Sequence, residues 1–182
     1  MFELQEAWLR AWRFAAVAHA GQTLPGRDLP YLVHLGAVAM EIMWAHPLEP
    51  FEHPELALQC ALLHDTLEDT QTTEAQLEKL FGPAVLAGVR ALTKSADLPK
   101  DRAMADSLRR IREQPREVWA VKLADRITNL AKPPEHWSAE KIAAYKREAE
   151  QIASELSPAH RALAARLAAR IASYPPPQEE GW

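Results

Sequence analysis

Apolar residues recur every three or four positions along most of the chain, and this period is typical of α-helices that bury one face. The first run covers residues 3–20 and stops at Gly21, and the second covers 31–45 and stops before Pro47. Alternation of apolar and polar residues, the pattern of a half-buried strand, never extends beyond a few positions. The sequence therefore predicts an all-α fold, a compact globular array of about eight to nine helices.

Helix-start and helix-stop signals divide the rest of the chain. Pro54 suits the first position of a third helix, which the pattern continues without interruption into the polar residues after Leu63. Thr73 and Gln76 have the form of a capping box at the start of a short helix that ends at Phe81. The remaining predicted helices cover residues 83–92, 101–113, 116–131, 138–156 and 157–172.

A length of 182 residues and a hydrophobic content of 48% suit one domain with its own core. We expect this domain to cover residues 1–174, because no internal repeat and no second domain is visible. Three prolines at 175–177, followed by mainly polar residues, predict a disordered tail over 175–182.

The net charge of −4 argues against a nucleic-acid partner. Charge is nevertheless uneven, because residues 90–132 contain eleven Lys or Arg and six Asp or Glu, a local charge of +5 that leaves −9 for the remainder. This asymmetry suits a small phosphorylated ligand. For Arg109, Arg110 and Arg112 we favour the simpler interpretation that they solvate a helix face.

Cys60 is the only cysteine, so an internal disulfide is excluded, and its apolar helical surroundings predict a buried thiol. No apolar run reaches membrane-spanning length, and Glu3 and Glu6 stand where a signal peptide carries basic residues. We therefore expect a protein of the reducing cytoplasm that has no membrane partner.

The densest cluster of ionisable groups follows the apolar end of the third helix, at His64, Asp65, Glu68 and Asp69. On an uninterrupted helix, residues three and four apart share a face, so Glu68 would lie one turn above His64 and Asp65. Buried carboxylates this close repel one another unless a cation joins them. The cluster therefore predicts a metal site, although a His-Asp pair alone is more often part of a hydrogen-bonded core.

A divalent ion needs about four to six donors, so further ligands must come from elsewhere in the chain. His34 and Asp125, each in the middle of a predicted helix, are the candidates. The alternative for His34 is a hydrogen-bonded core histidine, and the alternative for Asp125 is a surface ion pair with Lys122 or Arg126. The residue pattern leaves these alternatives open.

Three blocks of the chain resemble the HD-superfamily hydrolase domain of the RelA/SpoT enzymes, and especially its small stand-alone members. The blocks are HAGQ at 19–22 with PYLVH at 30–34, LHDTLEDT at 63–70, and VKLADRITN at 121–129. The resemblance spans residues 7–156. It implies a manganese-dependent hydrolase that removes the 3′-pyrophosphate from guanosine tetra- or pentaphosphate, the stringent-response alarmones.

The resemblance also implies roles for individual residues. It makes His34, His64, Asp65 and Asp125 the metal ligands, and Glu68 and Asp69 the acidic pair that activates or orients the attacking water. It places Lys122, Asn129 and Tyr145 beside the nucleotide. Two imidazoles and two carboxylates also accept Fe²⁺, Co²⁺ or Zn²⁺, so manganese rests on the resemblance alone. A homodimer is compatible with it.

One loop departs from the family pattern. Relatives carry an Arg-Lys pair after HAGQ, where this chain has Leu24 and Pro25, and Arg27 in the same loop could take over part of their role. The departure keeps two alternatives open. One is the same chemistry on another nucleotide, such as an adenosine alarmone, a nucleoside triphosphate or NADPH, and the other is a nucleotide-binding regulatory domain without turnover.

Overall fold

The computed structural model describes residues 2–95, 97–131 and 133–176, and within these ranges it contains ten α-helices, one 3-10 turn and no strand. An isolated bridge joins Thr23 to Pro30. The all-α prediction is confirmed. The helices are α1 (Phe2–Ala18), α2 (Leu32–Ala45), α3 (Pro54–Leu63), α4 (Thr66–Asp69), α5 (Glu74–Phe81), α6 (Pro83–Leu92), α7 (Lys100–Arg112), α8 (Arg116–Asn129), α9 (Ala139–Leu156) and α10 (Arg161–Ala172).

α5 and α6 begin at the residues that the sequence predicts, because local sequence signals set these helix ends. The Thr73 side chain accepts from the Gln76 backbone N–H, and the Gln76 side chain accepts from the Thr73 backbone N–H, which completes the capping box of α5. Gly82 ends this helix with a φ of 86°, a value that few residues with a Cβ adopt, and Pro83 starts α6 directly afterwards.

The predicted uninterrupted helix through residues 64–69 is wrong. α3 ends at Leu63, and α4 begins only at Thr66. The Thr66 hydroxyl donates to the Leu63 carbonyl over 2.7 Å, in place of the backbone N–H that a continuing helix would offer. His64 and Asp65 therefore form a turn between two helices.

The predicted last helix over 157–172 is also divided. Residues Ser157–Ala159 form the 3-10 turn, and His160 then takes an extended conformation with φ −163°. The His160 Nδ1 atom accepts from the Leu163 backbone N–H over 3.4 Å, so His160 is the N-cap of α10.

α3 lies at the centre of the fold and packs against α1, α2, α6 and α8. Its residues from Ala57 to Leu63 are all buried. At its crossing with α6 and α8 the backbones approach closely, because a Cβ added to Gly88 would lie 2.7 Å from Cys60 Sγ and 3.0 Å from a Val118 methyl group. The thiol of Cys60 is buried, as the sequence predicts.

Three of the arginines of α7, which lie in its C-terminal half, are held by groups of the protein itself. Arg110 donates to the Thr93 carbonyl over 2.8 Å at the C-terminal end of α6, Arg109 pairs with Asp106 and Glu113, and Arg112 pairs with Glu155. Arg109 and Arg112 are exposed on the helix face, whereas Arg110 is half-buried and binds the carbonyls at the end of α6.

Within the described residues, none of the helices combines the length and the apolar character that crossing a membrane requires. Most of the predicted tail, residues 177–182, lies outside the described ranges.

Candidate metal centre

Three buried side chains, from two helices and from the turn after α3, meet at one point. His34 comes from α2, His64 follows the last residue of α3, and Asp125 comes from α8. The His34 Nε2 atom lies 3.3 Å from His64 Nε2 and 3.4 Å from Asp125 Oδ1. His64 Nε2 lies 3.7 Å from the same carboxylate oxygen. Ligand atoms this close can share one metal ion.

Asp65 adds a fourth donor to this point. Its Oδ2 atom lies 3.0 Å from His64 Nε2 and 3.7 Å from His34 Nε2. Neighbouring side chains on a continuous helix point about 100° apart. The turn between α3 and α4 removes that constraint, so His64 and Asp65 reach the same centre. All four predicted ligand residues are thus brought together.

The second nitrogen of each imidazole is engaged away from the centre. His64 Nδ1 donates to the Ala61 carbonyl over 2.8 Å. The Thr128 hydroxyl donates to the Asp125 carbonyl over 2.9 Å, which leaves its oxygen to accept from His34 Nδ1 at 3.3 Å. Both Nε2 lone pairs therefore face the two carboxylates, the arrangement that metal-binding histidines adopt.

The charges at the centre favour a cation. Burial lowers the pKa of His64, but the Asp65 and Asp125 carboxylates outweigh burial and raise that pKa to about 9. Burial raises the pKa of Asp125, but Lys122 and the two histidines hold it well below its usual range. The carboxylates thus attract a proton to His64 when no other cation is present, and a divalent ion satisfies the same demand.

Tyr31 orients Asp65. Its hydroxyl donates to Asp65 Oδ2 over 2.5 Å, and its ring stacks on His19 with the centroids 4.9 Å apart. His19 Nδ1 contacts Gln22 Oε1 at 2.7 Å, and Gln22 Nε2 donates to the Asp69 carbonyl over 2.6 Å. Sequence reasoning missed this role of Tyr31, although the PYLVH block contains it.

The acidic pair Glu68 and Asp69 lies at the exposed edge of the centre. Glu68 Oε2 accepts from the Lys94 backbone N–H over 3.0 Å, a contact that fixes the carboxylate and that the sequence did not reveal. Burial, with the neighbouring Asp65 and Glu68 carboxylates, raises the pKa of Asp69 above its usual value. Asp69 therefore lies close enough to Asp65 for their charges to interact, whereas the Lys94 backbone holds the Glu68 carboxylate.

Lys122 and Asn129 both donate to Asp125. Lys122 Nζ lies 2.9 Å from Asp125 Oδ2, and Asn129 Nδ2 lies 2.5 Å from Oδ1. Only 7% of Lys122 and 6% of Asp125 are exposed, which excludes the surface ion pair. Both residues therefore contact a candidate metal ligand directly, and Asn129 is also exposed.

Tyr145 is half-buried on α9, under Arg126 of α8. The guanidinium carbon of Arg126 lies 4.2 Å from the Tyr145 ring centroid, and the Trp137 ring meets that ring edge-on at 5.2 Å. Burial raises the pKa of Tyr145 to about 12, so its hydroxyl stays protonated at neutral pH.

The loop between α1 and α2 contains Leu24 and Arg27. The Leu24 backbone N–H donates to the Leu29 carbonyl, and the Arg27 backbone N–H donates to the Leu24 carbonyl, which closes a tight turn. Leu24 is half-buried and Arg27 is exposed. A Cβ on Gly26 would lie 3.9 Å from the Pro134 side chain, so this loop borders the one that precedes α9.

Comparison with known families gives a consistent result, since residues 11–163 match the HD domain family. The zebrafish (Danio rerio) guanosine-3′,5′-bis(diphosphate) 3′-pyrophosphohydrolase MESH1 is 32% identical over 164 residues, which cover 87% of this chain and 89% of that protein. The bifunctional (p)ppGpp synthase/hydrolase SpoT of Escherichia coli is 35% identical over 66% of this chain. The match covers only 17% of that longer enzyme.

Solved structures show the same relationship. A metazoan SpoT orthologue that hydrolyses ppGpp superposes with a TM-score of 0.79 at 26% identity, covering 93% of this chain and 96% of the other. A Listeria monocytogenes EGD-e protein superposes with a TM-score of 0.64 at 22% identity, covering 80% of this chain and 98% of the other, which shows the shared fold.

Proposed function

This chain belongs to the HD domain family, and from that premise we propose that it is a metal-dependent hydrolase that removes the 3′-pyrophosphate from guanosine tetra- or pentaphosphate. The observation that carries the proposal is the convergence of four donor atoms from His34, His64, Asp65 and Asp125. Two relatives of similar length that hydrolyse guanosine tetraphosphate support the choice of substrate.

We propose manganese as the metal, held by those four residues. The two oriented imidazoles and two carboxylates fit a divalent transition metal, and the same donors accept Fe²⁺, Co²⁺ or Zn²⁺. A bound ion would neutralise phosphate charge and would lower the pKa of the attacking water. Tyr31 keeps the Asp65 carboxylate aimed at the centre, and Lys122 and Asn129 keep Asp125 aimed there.

The acidic pair carries the proton transfer in this proposal. The water oxygen forms a bond to the phosphorus attached to the ribose O3′, and the bond between that phosphorus and O3′ breaks. Glu68, held by the Lys94 backbone, or Asp69 accepts the proton of the water, and a proton passes to the departing O3′. The products from guanosine tetraphosphate are GDP and pyrophosphate.

We assign the nucleotide to the side of the centre formed by Tyr145 and the loop with Leu24 and Arg27. The Tyr145 ring is half-buried beneath the Arg126 guanidinium, and Arg27 is the exposed cation of the loop. Lys122 and Asn129 each donate one N–H to Asp125, and the exposed Asn129 amide keeps a second N–H that can reach the nucleotide. We place the enzyme in the reducing cytoplasm, where the single cysteine remains a thiol.

A second candidate function is the same hydrolysis acting on another nucleotide, such as an adenosine alarmone, a nucleoside triphosphate or NADPH. It is favoured by Leu24 and Pro25, which put no charge where the related domains have an Arg-Lys pair. An aliphatic side chain contacts a base without the charge-assisted hydrogen bonds that a guanidinium forms with phosphate.

A panel of guanine and adenine nucleotides incubated with the Mn²⁺-loaded protein tests both candidates. Chromatography should show GDP and pyrophosphate from guanosine tetraphosphate, and chelation should stop their release reversibly. His64→Ala should be inactive, whereas His53→Ala, which removes an exposed histidine of the same chain, should keep wild-type activity. Turnover of a different nucleotide alone would support the second candidate, and binding without turnover would support a regulatory domain.

A further inference from the structure

The outer face of α2 is apolar and uncovered. Val33, Met40, Met43 and Trp44 on this face are 49%, 53%, 55% and 75% exposed, and Leu48 just beyond the helix is 65% exposed. Exposed apolar residues are ordinary when they are scattered, but four of these lie on one side of α2, and Leu48 lies in the turn that follows it. We call them the α2 face.

The spacing of these residues suits packing against another helix. Val33 and Met40 are seven residues apart, Met43 and Trp44 follow after three and four, and the small residues Gly36 and Ala37 lie between them. Apolar residues repeated at intervals of three and four form the seam by which two helices pack. His34, the metal-ligand candidate of the same helix, lies on the opposite, buried side.

The charge distribution limits what can cover the α2 face. The charged residue of α2, Glu41, is 5% exposed and pairs with Arg166 of α10 at 2.6 Å. Glu49, after the helix, accepts from the Arg161 backbone at 2.9 Å and pairs with its side chain. The cations at the border are therefore already paired, which argues against an anionic membrane surface. A face without charge can meet an identical face without repulsion.

From these observations we propose that the α2 face is the interface of a homodimer, in which α2 packs antiparallel to α2 of a second copy. A two-fold axis near Met40 sets Met40 against its own counterpart. It also sets each Trp44 near Ala37 of the other copy, so that a large side chain meets a small one, while Trp12 of the same chain fills the space beside Gly36. This isologous arrangement uses one patch twice.

The exposed area is sufficient for such an interface. From their exposed fractions, the five side chains offer roughly 500 Å² of apolar surface, at the upper end of what monomers leave uncovered. A stable dimer buries about 800 Å² on each partner, and about 65% of a homodimer interface is apolar. The α2 face supplies that apolar share, and the Glu41–Arg166 and Glu49–Arg161 pairs supply a polar rim.

Light scattering coupled to size-exclusion chromatography tests the proposal on the full chain, with Mn²⁺ present, from about 1 to about 100 µM. We expect twice the chain mass for the wild type and the mass of one chain for Trp44→Glu. The control is Val17→Glu, which places the same charge at an apolar residue of α1 that is 78% exposed and outside the α2 face. It should dimerise like the wild type.

A mixing experiment separates the proposed geometry from a simple loss of stability. Met40→Glu and Met40→Lys should each be monomeric alone, because like charges would face each other at the axis, and an equal mixture should recover the dimer mass. A monomeric wild type across the concentration range would overturn the proposal. A Trp44→Glu variant that associates like the wild type would overturn it as well. The same holds if the two Met40 variants fail to associate on mixing although each keeps the wild-type circular dichroism spectrum.

Discussion

The contact between Tyr31 and Asp65 offers a sharp test of how the candidate centre holds its metal. Tyr31→Phe removes one hydroxyl, which donates to Asp65 Oδ2 over 2.5 Å, and keeps the ring that stacks on His19. Burial and the Asp65 carboxylate raise the pKa of Tyr31 above its usual range, so this hydroxyl is a donor at every accessible pH. The variant therefore changes the support of one ligand and leaves the packing in place.

The size of the effect follows from the chemistry of the contact. A hydrogen bond to a charged group contributes about 1.5–3 kcal/mol. At about 1.4 kcal/mol for each tenfold change in a binding constant, its loss weakens metal binding by about 10- to 100-fold. Loss of a group that orients a metal ligand has an effect of the same size in other metal sites.

Isothermal titration of Mn²⁺ into the metal-free protein measures this effect directly. Tyr174→Phe is the matched control, because Tyr174 is another buried tyrosine, which lies beyond Tyr145 with the ring centroids 6.2 Å apart. We expect weaker Mn²⁺ binding in Tyr31→Phe and wild-type binding in the control. Equal affinity in all three proteins would refute the idea that Tyr31 positions a metal ligand.

Three further predictions concern the acidic pair and the core. Glu68→Gln keeps its shape but cannot accept a proton, so Mn²⁺ affinity should be unchanged while kcat falls about 100-fold or more; an unchanged kcat would assign the proton to Asp69. Gly88→Ala should lower the free energy of unfolding in urea by about 1–3 kcal/mol, because the new methyl group meets Cys60 Sγ at 2.7 Å. Part of this loss should return in a Cys60→Ala background, and equal losses in both backgrounds would contradict the steric cause. Burial raises the pKa of Cys60 to about 12, so the folded protein favours the protonated thiol. The stability that this preference contributes is fully present below the ordinary thiol pKa, and it is lost as the pH rises towards 12. Iodoacetamide at about pH 8 should therefore modify Cys60 only in denaturant, and rapid modification of the folded protein would show that the thiol is accessible.

The parts of the fold that sequence could predict depend on neighbouring residues. The capping box of Thr73 and Gln76 and the Gly82-Pro83 junction are completed within a few positions, so their helix ends lie where the pattern puts them. The break after Leu63 escaped prediction, because a single side-chain hydroxyl, that of Thr66, replaces a backbone donor there, while the apolar pattern continues.

The candidate site also combines residues that the sequence predicts with residues that it does not. The residue types of the four metal-ligand candidates stand out in the sequence, and the resemblance connects them. Their supports do not stand out, because Tyr31 meets Asp65 across 34 positions and Lys94 meets Glu68 across 26. The sequence alone could not show that Lys122 and Asp125 form a buried ion pair. Two residues three positions apart on a helix have the same pattern whether the pair is exposed or buried.

The most direct test of whether one metal centre performs the hydrolysis is a titration of the metal-free protein with Mn²⁺. The release of GDP from guanosine tetraphosphate is measured after each addition. We expect no release without metal and a rise that saturates at one equivalent per chain, with Asp125→Asn inactive at any equivalence. Release of GDP at the same rate before and after metal addition, or none at saturation, would contradict the assignment of His34, His64, Asp65 and Asp125 to a hydrolytic metal centre.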